Sequence, residues 1–387
     1  MAEKTKLRCG FTTGTCAAAA VKAAAQMLLS GTSLSDISLV LPNGSSKVFP
    51  VEQIAVGSDT VSCAIRKDAG DDPDVTDGIL IYASVSRIPA DLAAAYAVNQ
   101  PCYRFEDNPF LFLTGGVGIG MVTKQGLSCE PGGYAINPVP RRMIFEEAAA
   151  VCKQYGISPE ETLWIEISAP EGKKLAEKTF NKNLGIVGGL SILGTSGIVN
   201  PMSEEALVET IRLDIRVKVQ EGRTVLAVAP GNYGEAFLKD KLGISMDSFV
   251  KCSNFIGDAF RMMREEQVTE VLLAGHLGKL IKVAGGVLNT HSKYGDRRME
   301  ILCTCAEEAG ISPLLAESIL HMNTSEEASE YLRQIGYLDQ VMNVVVNRIQ
   351  RVLEDYSGIS VEVVVFSNVQ GLLGMTDGAV ERLKKIT

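Results

Sequence analysis

The sequence predicts a two-domain protein of mixed class. An α+β domain with a mostly antiparallel sheet is expected over residues 1–158. A Rossmann-like α/β domain with a largely parallel sheet is expected over residues 159–387. Three observations carry this expectation. The chain has 387 residues, more than one hydrophobic core usually organises. Short strand-like runs with turn residues between them fill the first half. Strand-like and helix-like runs alternate through the second half, the pattern of a parallel sheet with helices on both faces.

The first element is a loop running into a helix. Arg8-Cys9-Gly10-Phe11-Thr12-Thr13-Gly14-Thr15 leads into Cys16 and an alanine-rich stretch. A helix is predicted from Cys16 to about Leu29, with Thr15 as N-cap and Gly31 just past its end. Free backbone N–H groups and three hydroxyls would gather at its start, a place that attracts anions. The early positive charge and apolar run imitate a signal peptide, but Lys22 interrupts the run, so the segment reads as a helix.

Strand-like runs follow at 37–41, 47–56, 60–66 and 79–85, then glycine-rich turns at 115–120 and 131–133 and a helix from about Arg141 to Tyr155. The polar segment Gly156 to Glu161 is the expected boundary. Beyond it, strands are predicted at 163–168, 224–229, 249–252, 271–274 and 361–366. Helices are predicted at 204–214, 234–242, 256–266 and several places across 297–354.

Composition narrows the class. Hydrophobic residues make up 46% and charged residues 21%, an ordinary globular balance. The net charge of −9, with no basic stripe, argues against nucleic acid, although local Lys and Arg can still line a pocket. Nine scattered cysteines without a CxxC pair read as reduced thiols and point to the cytoplasm. No apolar run is long enough to span a bilayer, so no membrane is expected.

In open α/β sheets, ligands bind beyond the carboxyl ends of the strands. Two loops fit: Pro230-Gly231-Asn232-Tyr233-Gly234 and Gly275-His276-Leu277-Gly278-Lys279. Glycine there lets a ligand approach the backbone. Tight strand-to-helix turns are the plainer alternative for either loop alone. Gly278-Lys279 looks like the end of a Walker A loop, but Leu273 and Leu280 stand where that motif needs Gly and Ser/Thr, and no GxGxxG occurs. The aspartates of 68–77 invite a cation, yet the spacing is not that of an EF-hand and a solvated turn is the competing reading. No Ser/His/Asp arrangement and no zinc-ligand spacing are legible, so no metal site is predicted. Such a chain fits a reaction in which the ligand carries the reactive group and the protein positions it.

The opening residues 8–20 closely resemble the start of the CbiD family, the cobalt-precorrin-5B C1-methyltransferases of anaerobic cobalamin biosynthesis. The likeness continues through 67–78, 114–120, 132–138, 194–202, 275–279 and 289–296, nearly the whole chain. The resemblance implies transfer of methyl from S-adenosylmethionine to carbon 1 of an anionic cobalt-tetrapyrrole, giving cobalt-precorrin-6A. Cobalt would arrive inside the substrate. The donor is expected at Pro230, Gly231, Asn232 and Gly234, since that loop follows a strand of the Rossmann-like half. The acceptor carries acetate and propionate groups, which need helix N-termini and cations. Thr12, Thr13, Thr15, Lys279, Lys282 and Lys293 are the candidates, with Arg141, Arg142, Arg297 and Arg298 behind them. His276, His291 and Asp68 are candidates for a proton-handling role. Transient contact with neighbouring enzymes of the pathway is a further expectation. A nicotinamide-dependent reductase and a corrinoid carrier or scaffold are the alternatives.

Overall fold

Alanine is the strongest helix former and the smallest side chain that keeps a Cβ. In the helix Thr13–Ser30 both properties matter: Ala17–Ala20 and Ala23–Ala25 are fully buried. Their size lets the helix lie close against the helix Pro138–Tyr155 and the strands Thr60–Arg66 and Leu80–Pro89. This is a computed structural model, and it describes residues 7–157, 161–231, 234, 237, 239–244 and 248–386. The helix begins one turn earlier than its sequence pattern predicts. The cap is Thr12, not Thr15, because Thr12 is the extended residue (φ −77°, ψ 161°) whose hydroxyl accepts from Thr15 N–H. Gly31, left-handed at φ 69°, ends it as expected.

The described protein divides into two units, residues 1–203 and 204–387. In the first, a six-stranded sheet runs in the order Glu52–Val56, Thr60–Arg66, Leu80–Pro89, Glu161–Ser168, Asn108–Gly115, Tyr103–Phe105. All neighbours are antiparallel except Glu161–Ser168 beside Asn108–Gly115. The predicted single run over 47–56 breaks at Val51. Ser46–Pro50 pairs instead with Asp36–Val40 in a separate ribbon.

The predicted boundary at 158/159 is corrected by that central strand. Glu161–Ser168 lies between Leu80–Pro89 and Asn108–Gly115 in the first unit. A parallel pair needs a long crossover, and the stretch that contains Pro138–Tyr155 supplies it. The chain on either side of residues 158–160 therefore belongs to one unit.

The second unit holds a five-stranded sheet in the order Phe249–Lys251, Val225–Ala229, Glu270–His276, Ser360–Ser367, Gly371–Met375. The first four strands are parallel and the last is antiparallel. Leu226, Val228, Val271 and Leu273 point into the core formed with Ile256–Glu265, Leu277–Ala284 and Leu338–Ser357. Ala227, Ala229, Leu272 and Ala274 face the other way, toward Phe237, Leu242 and Ile386. Alternating side chains thus bury both faces, as a parallel sheet requires. The chain is a mixed α/β protein with sheets of mixed orientation.

Candidate functional site

The conspicuous opening segment is a clasp. Gly10 lies so close to the backbone of Ala69 that a Cβ would fall 2.1 Å from its carbonyl carbon, and one at Gly70 would fall 2.1 Å from the carbonyl oxygen of Arg8. Phe11 N–H donates to Asp68 O at 2.7 Å and Asp71 N–H to Arg8 O at 2.9 Å. The Arg8 guanidinium grips both Asp68 oxygens, which holds that carboxyl below the usual carboxylate range. The other aspartates are also engaged: Asp74 binds the Lys67 ammonium at 2.7 Å, Asp77 accepts from Ala69 N–H, and Asp72 accepts from Met202 N–H. Asp68 is therefore an ion-pair partner and turn acceptor, not a free base.

The three threonines at the helix start are buried, and each has a partner inside the unit. Thr13 Oγ1 donates toward Ser191 O at 3.1 Å and accepts from Leu193 N–H at 2.9 Å. Thr15 Oγ1 donates to Gly197 O at 2.7 Å, while Thr12 Oγ1 caps Thr15 N–H. Gly14 N–H donates to Leu193 O. The loop 191–197 thus occupies the helix N-terminus where an acceptor carboxylate was expected. Gly194 makes this approach possible: its Cβ would lie 2.3 Å from Thr12 Oγ1.

The second unit places two loops at the carboxyl ends of adjacent parallel strands. The loop after Val225–Ala229 leads toward Phe249–Lys251 on one side of the sheet. The segment after Glu270–His276 leads toward Ser360–Ser367 on the other. The first passes to the face of Phe237 and Leu242, the second to the face of Leu277 and Leu280. In open α/β sheets, ligands bind between two such diverging loops, at the carboxyl ends of the strands. Pro230-Gly231 and Lys279 meet there. A Cβ on Gly231, whose φ is +83°, would lie 3.0 Å from Lys279 Nζ. The sequence placed these two loops at equivalent positions; the fold brings Gly231 and Lys279 side by side. Asn232 lies outside the described residues. Gly234 packs near Ala229 and the carbonyl of Ala274.

Lys279 is half-buried. Among the described residues it has neither a carboxylate nor a hydrogen-bond acceptor, and it is the third residue of the helix Leu277–Ala284. Burial lowers its pKa, and the like charge of Lys251 adds to that shift. Cys252 is fully buried and pushed up to about 12, so it stays a thiol.

The other expected cations are tied down. Lys282 is buried, and its Nζ donates to Thr290 O at 3.3 Å and Gly295 O at 3.1 Å. It fixes the 289–295 loop, which Asn254 also holds through Thr290. Lys293 is exposed and paired with Glu204. His276 caps its helix: Nδ1 accepts from Gly278 N–H at 3.1 Å, which leaves the Nε2 hydrogen for Glu326 at 2.8 Å. Both ring nitrogens are thus engaged within the unit. His291 likewise accepts from Lys293 N–H. Arg142 is exposed near Glu146, and Arg298 is paired with Asp296.

Arg141 differs. It stacks 4.1 Å over the Tyr103 ring, and its buried Nε has no acceptor among the described residues. The sequence singled out Arg141 but gave no sign of Tyr103. It also gave no sign of Glu166, whose carboxyl lies against Gly116 and is raised above the ordinary range by burial. Among the described residues no three His, Cys, Asp or Glu side chains cluster as a metal site would require. No described helix is long and apolar enough to cross a membrane.

The second unit is an open, largely parallel α/β sheet, a class of fold that binds its ligands at the carboxyl ends of the strands. The family model CbiD matches residues 1–201, and the model of the CbiD C-terminal domain matches residues 289–377. The chain belongs to the CbiD family. It is 40% identical to the cobalt-precorrin-5B C(1)-methyltransferase of Ruminiclostridium cellulolyticum, over 98% of this chain and 96% of that one. It is 38% identical to the protein of the same name from Thermoanaerobacter sp., over 98% of each. A crystal structure of a cobalamin biosynthesis protein (cbiD) from Archaeoglobus fulgidus matches at 23% identity over 79% of this chain and 85% of that one, with a TM-score of 0.38.

Proposed function

We propose that this chain methylates carbon 1 of cobalt-precorrin-5B with S-adenosylmethionine as donor, giving cobalt-precorrin-6A in anaerobic cobalamin biosynthesis. Near-complete alignment with relatives carrying that name is the observation that supports it. The second unit is read as a Rossmann-like donor-binding unit, with the donor at the strand ends beside Pro230-Gly231 and Lys279. The reaction asks little of side-chain chemistry. The methyl carbon leaves a sulfonium, so the bond to sulfur breaks as the bond to the ring carbon forms, and the sulfur becomes neutral. Alignment and exclusion of water are what a protein must supply. On the first unit, Arg141 is assigned to a carboxylate of the acceptor: its guanidinium is held flat by Tyr103 and lacks a carboxylate partner among the described residues. The cobalt belongs to the substrate. Reduced, unpaired cysteines support a cytoplasmic setting.

The test combines Gly231→Val with labelled donor. A side chain at φ +83° facing Lys279 is expected to weaken S-adenosylhomocysteine binding in calorimetry by about tenfold or more and to slow methyl transfer into the cobalt-precorrin. Wild-type protein that binds the corrinoid without ever transferring the label would instead be a carrier. Donor affinity unchanged in Gly231→Val would remove the donor from this loop.

A further inference from the structure

The second unit holds a cavity of about 420 Å³ between the start of the helix Arg298–Glu308 and the segment 320–323. Small-molecule sites occupy about 300–1,000 Å³. One wall is apolar: Met299, Leu320 and Met322. Met299 and Met322 pack on the core of the unit, while Leu320 stays 43% exposed. Thioether side chains adapt to the shape of what they touch. The other wall is Asp296, Arg298 and Glu300. Arg298 Nε and Nη2 donate to the two Asp296 oxygens at 2.7 and 2.6 Å. Two carboxylates against one guanidinium leave this wall with one negative charge. Both walls are held from behind. Lys282 Nζ donates to Gly295 O beside Asp296, Met322 N–H donates to Ile319 O at 3.1 Å, and Asn323 N–H donates to Glu327 Oε2 at 3.0 Å.

We infer that this cavity is a binding site for a small organic cation, an amine with an apolar body. The body lies on Met299, Leu320 and Met322. The ammonium meets Glu300, because the Asp296 carboxylate is already matched by Arg298. An anion is the opposing reading, since the start of a helix attracts negative charge. Here the first turn already carries Glu300, and Asp296 accepts from the backbone N–H of Arg298 at 3.4 Å. An incoming anion would face both carboxylates. The cavity lies wholly within the second unit and involves neither Gly231 and Lys279 nor Arg141, so it stands apart from the donor and acceptor positions proposed above.

Nuclear magnetic resonance on the full chain, labelled with carbon-13 at the methionine methyl groups, tests this. Three probes of similar shape and different charge are titrated: 2-phenylethylammonium, 2-phenylethanol and 3-phenylpropanoate. Met299→Leu and Met322→Leu assign the two signals that report on the cavity. The ammonium probe is expected to shift both signals saturably, with an affinity about tenfold above that of the alcohol, the strength of a charge-assisted contact. The propanoate is expected to leave them in place. Glu300→Gln should reduce the preference for ammonium over alcohol to about twofold or less. Glu300 is exposed, so its replacement leaves the fold intact, and the preference is a ratio within one variant. Leu320→Lys puts an ammonium of the chain's own at the cavity and should abolish binding of the ammonium probe. An ammonium probe that leaves both signals in place, or that binds no more tightly than the alcohol, overturns the inference. So does a preference undiminished in Glu300→Gln, or a propanoate that binds most tightly, which would make this an anion site.

Discussion

Gly10→Ala tests whether the opening segment is architecture or chemistry. The added Cβ would land 2.1 Å from the carbonyl carbon of Ala69 and 2.4 Å from its oxygen, whereas ordinary contact begins at 3.4 Å. The two backbone segments must separate by more than an ångström. Both are anchored: Phe11 N–H to Asp68 O, Asp71 N–H to Arg8 O, and Arg8 N–H to Asp71 Oδ2 at 2.6 Å. Overpacking of this kind costs about 1–3 kcal/mol, and each distorted hydrogen bond adds about 0.5–1.5 kcal/mol. A loss of about 3 kcal/mol is expected, or roughly 6–12 °C in Tm for a unit of this size. Differential scanning calorimetry reads the shift, and titration with S-adenosylhomocysteine reads the proposed donor site, which belongs to the other unit. The expected result is a lower Tm for residues 1–203 with donor affinity unchanged. A variant that melts like the wild type yet loses donor affinity would refute the reasoning.

Two further outcomes follow from buried charge. Burial alone raises the Glu166 carboxyl above its ordinary value of 4.5; the folded state therefore holds the proton more tightly than the unfolded one, and stability falls as pH rises from 4.5 through the folded value. Glu166→Gln should be more stable than the wild type at pH 7 in urea titrations, with the gap closing below pH 4.5; a gap independent of pH would contradict this. Asp214 and Lys218 form an ion pair on the helix Glu204–Gln220, each side chain only 3% exposed. Asp214→Asn leaves an ammonium buried and should cost about 3–5 kcal/mol, more than replacing both residues with Leu and Met. Equal losses in the single and double variants would argue against a desolvated charge.

The family resemblance was legible because it rests on runs of residues: 8–20, 67–78, 194–202 and 289–296. Their roles were not. Sequence shows Gly10 and Gly70 as separate motifs sixty residues apart, and only the fold shows that each leaves room for the other's backbone. Thr13 and Thr15 read as an anion cradle because a helix start exposes donors. The loop 191–197, distant in sequence, takes that place. Lys279, Lys282 and Lys293 look alike on the page. Tertiary contacts alone make one a tie for a loop, one a surface ion pair and one a neighbour of Gly231.

Local pattern fixed what depends on neighbours along the chain. The alanine helix ending at Gly31, the strands predicted at 60–66 and 361–366, and the absence of nucleotide fingerprints all follow from spacing, propensity and turn chemistry. What depends on long-range pairing came only with the tertiary structure. Glu161–Ser168 joins the first unit's sheet because its edges match Leu80–Pro89 and Asn108–Gly115, a choice that no local signal encodes. Two loops leave adjacent parallel strands toward opposite faces, an arrangement set by strand order. Whether a charge is satisfied is likewise decided by what surrounds it in space.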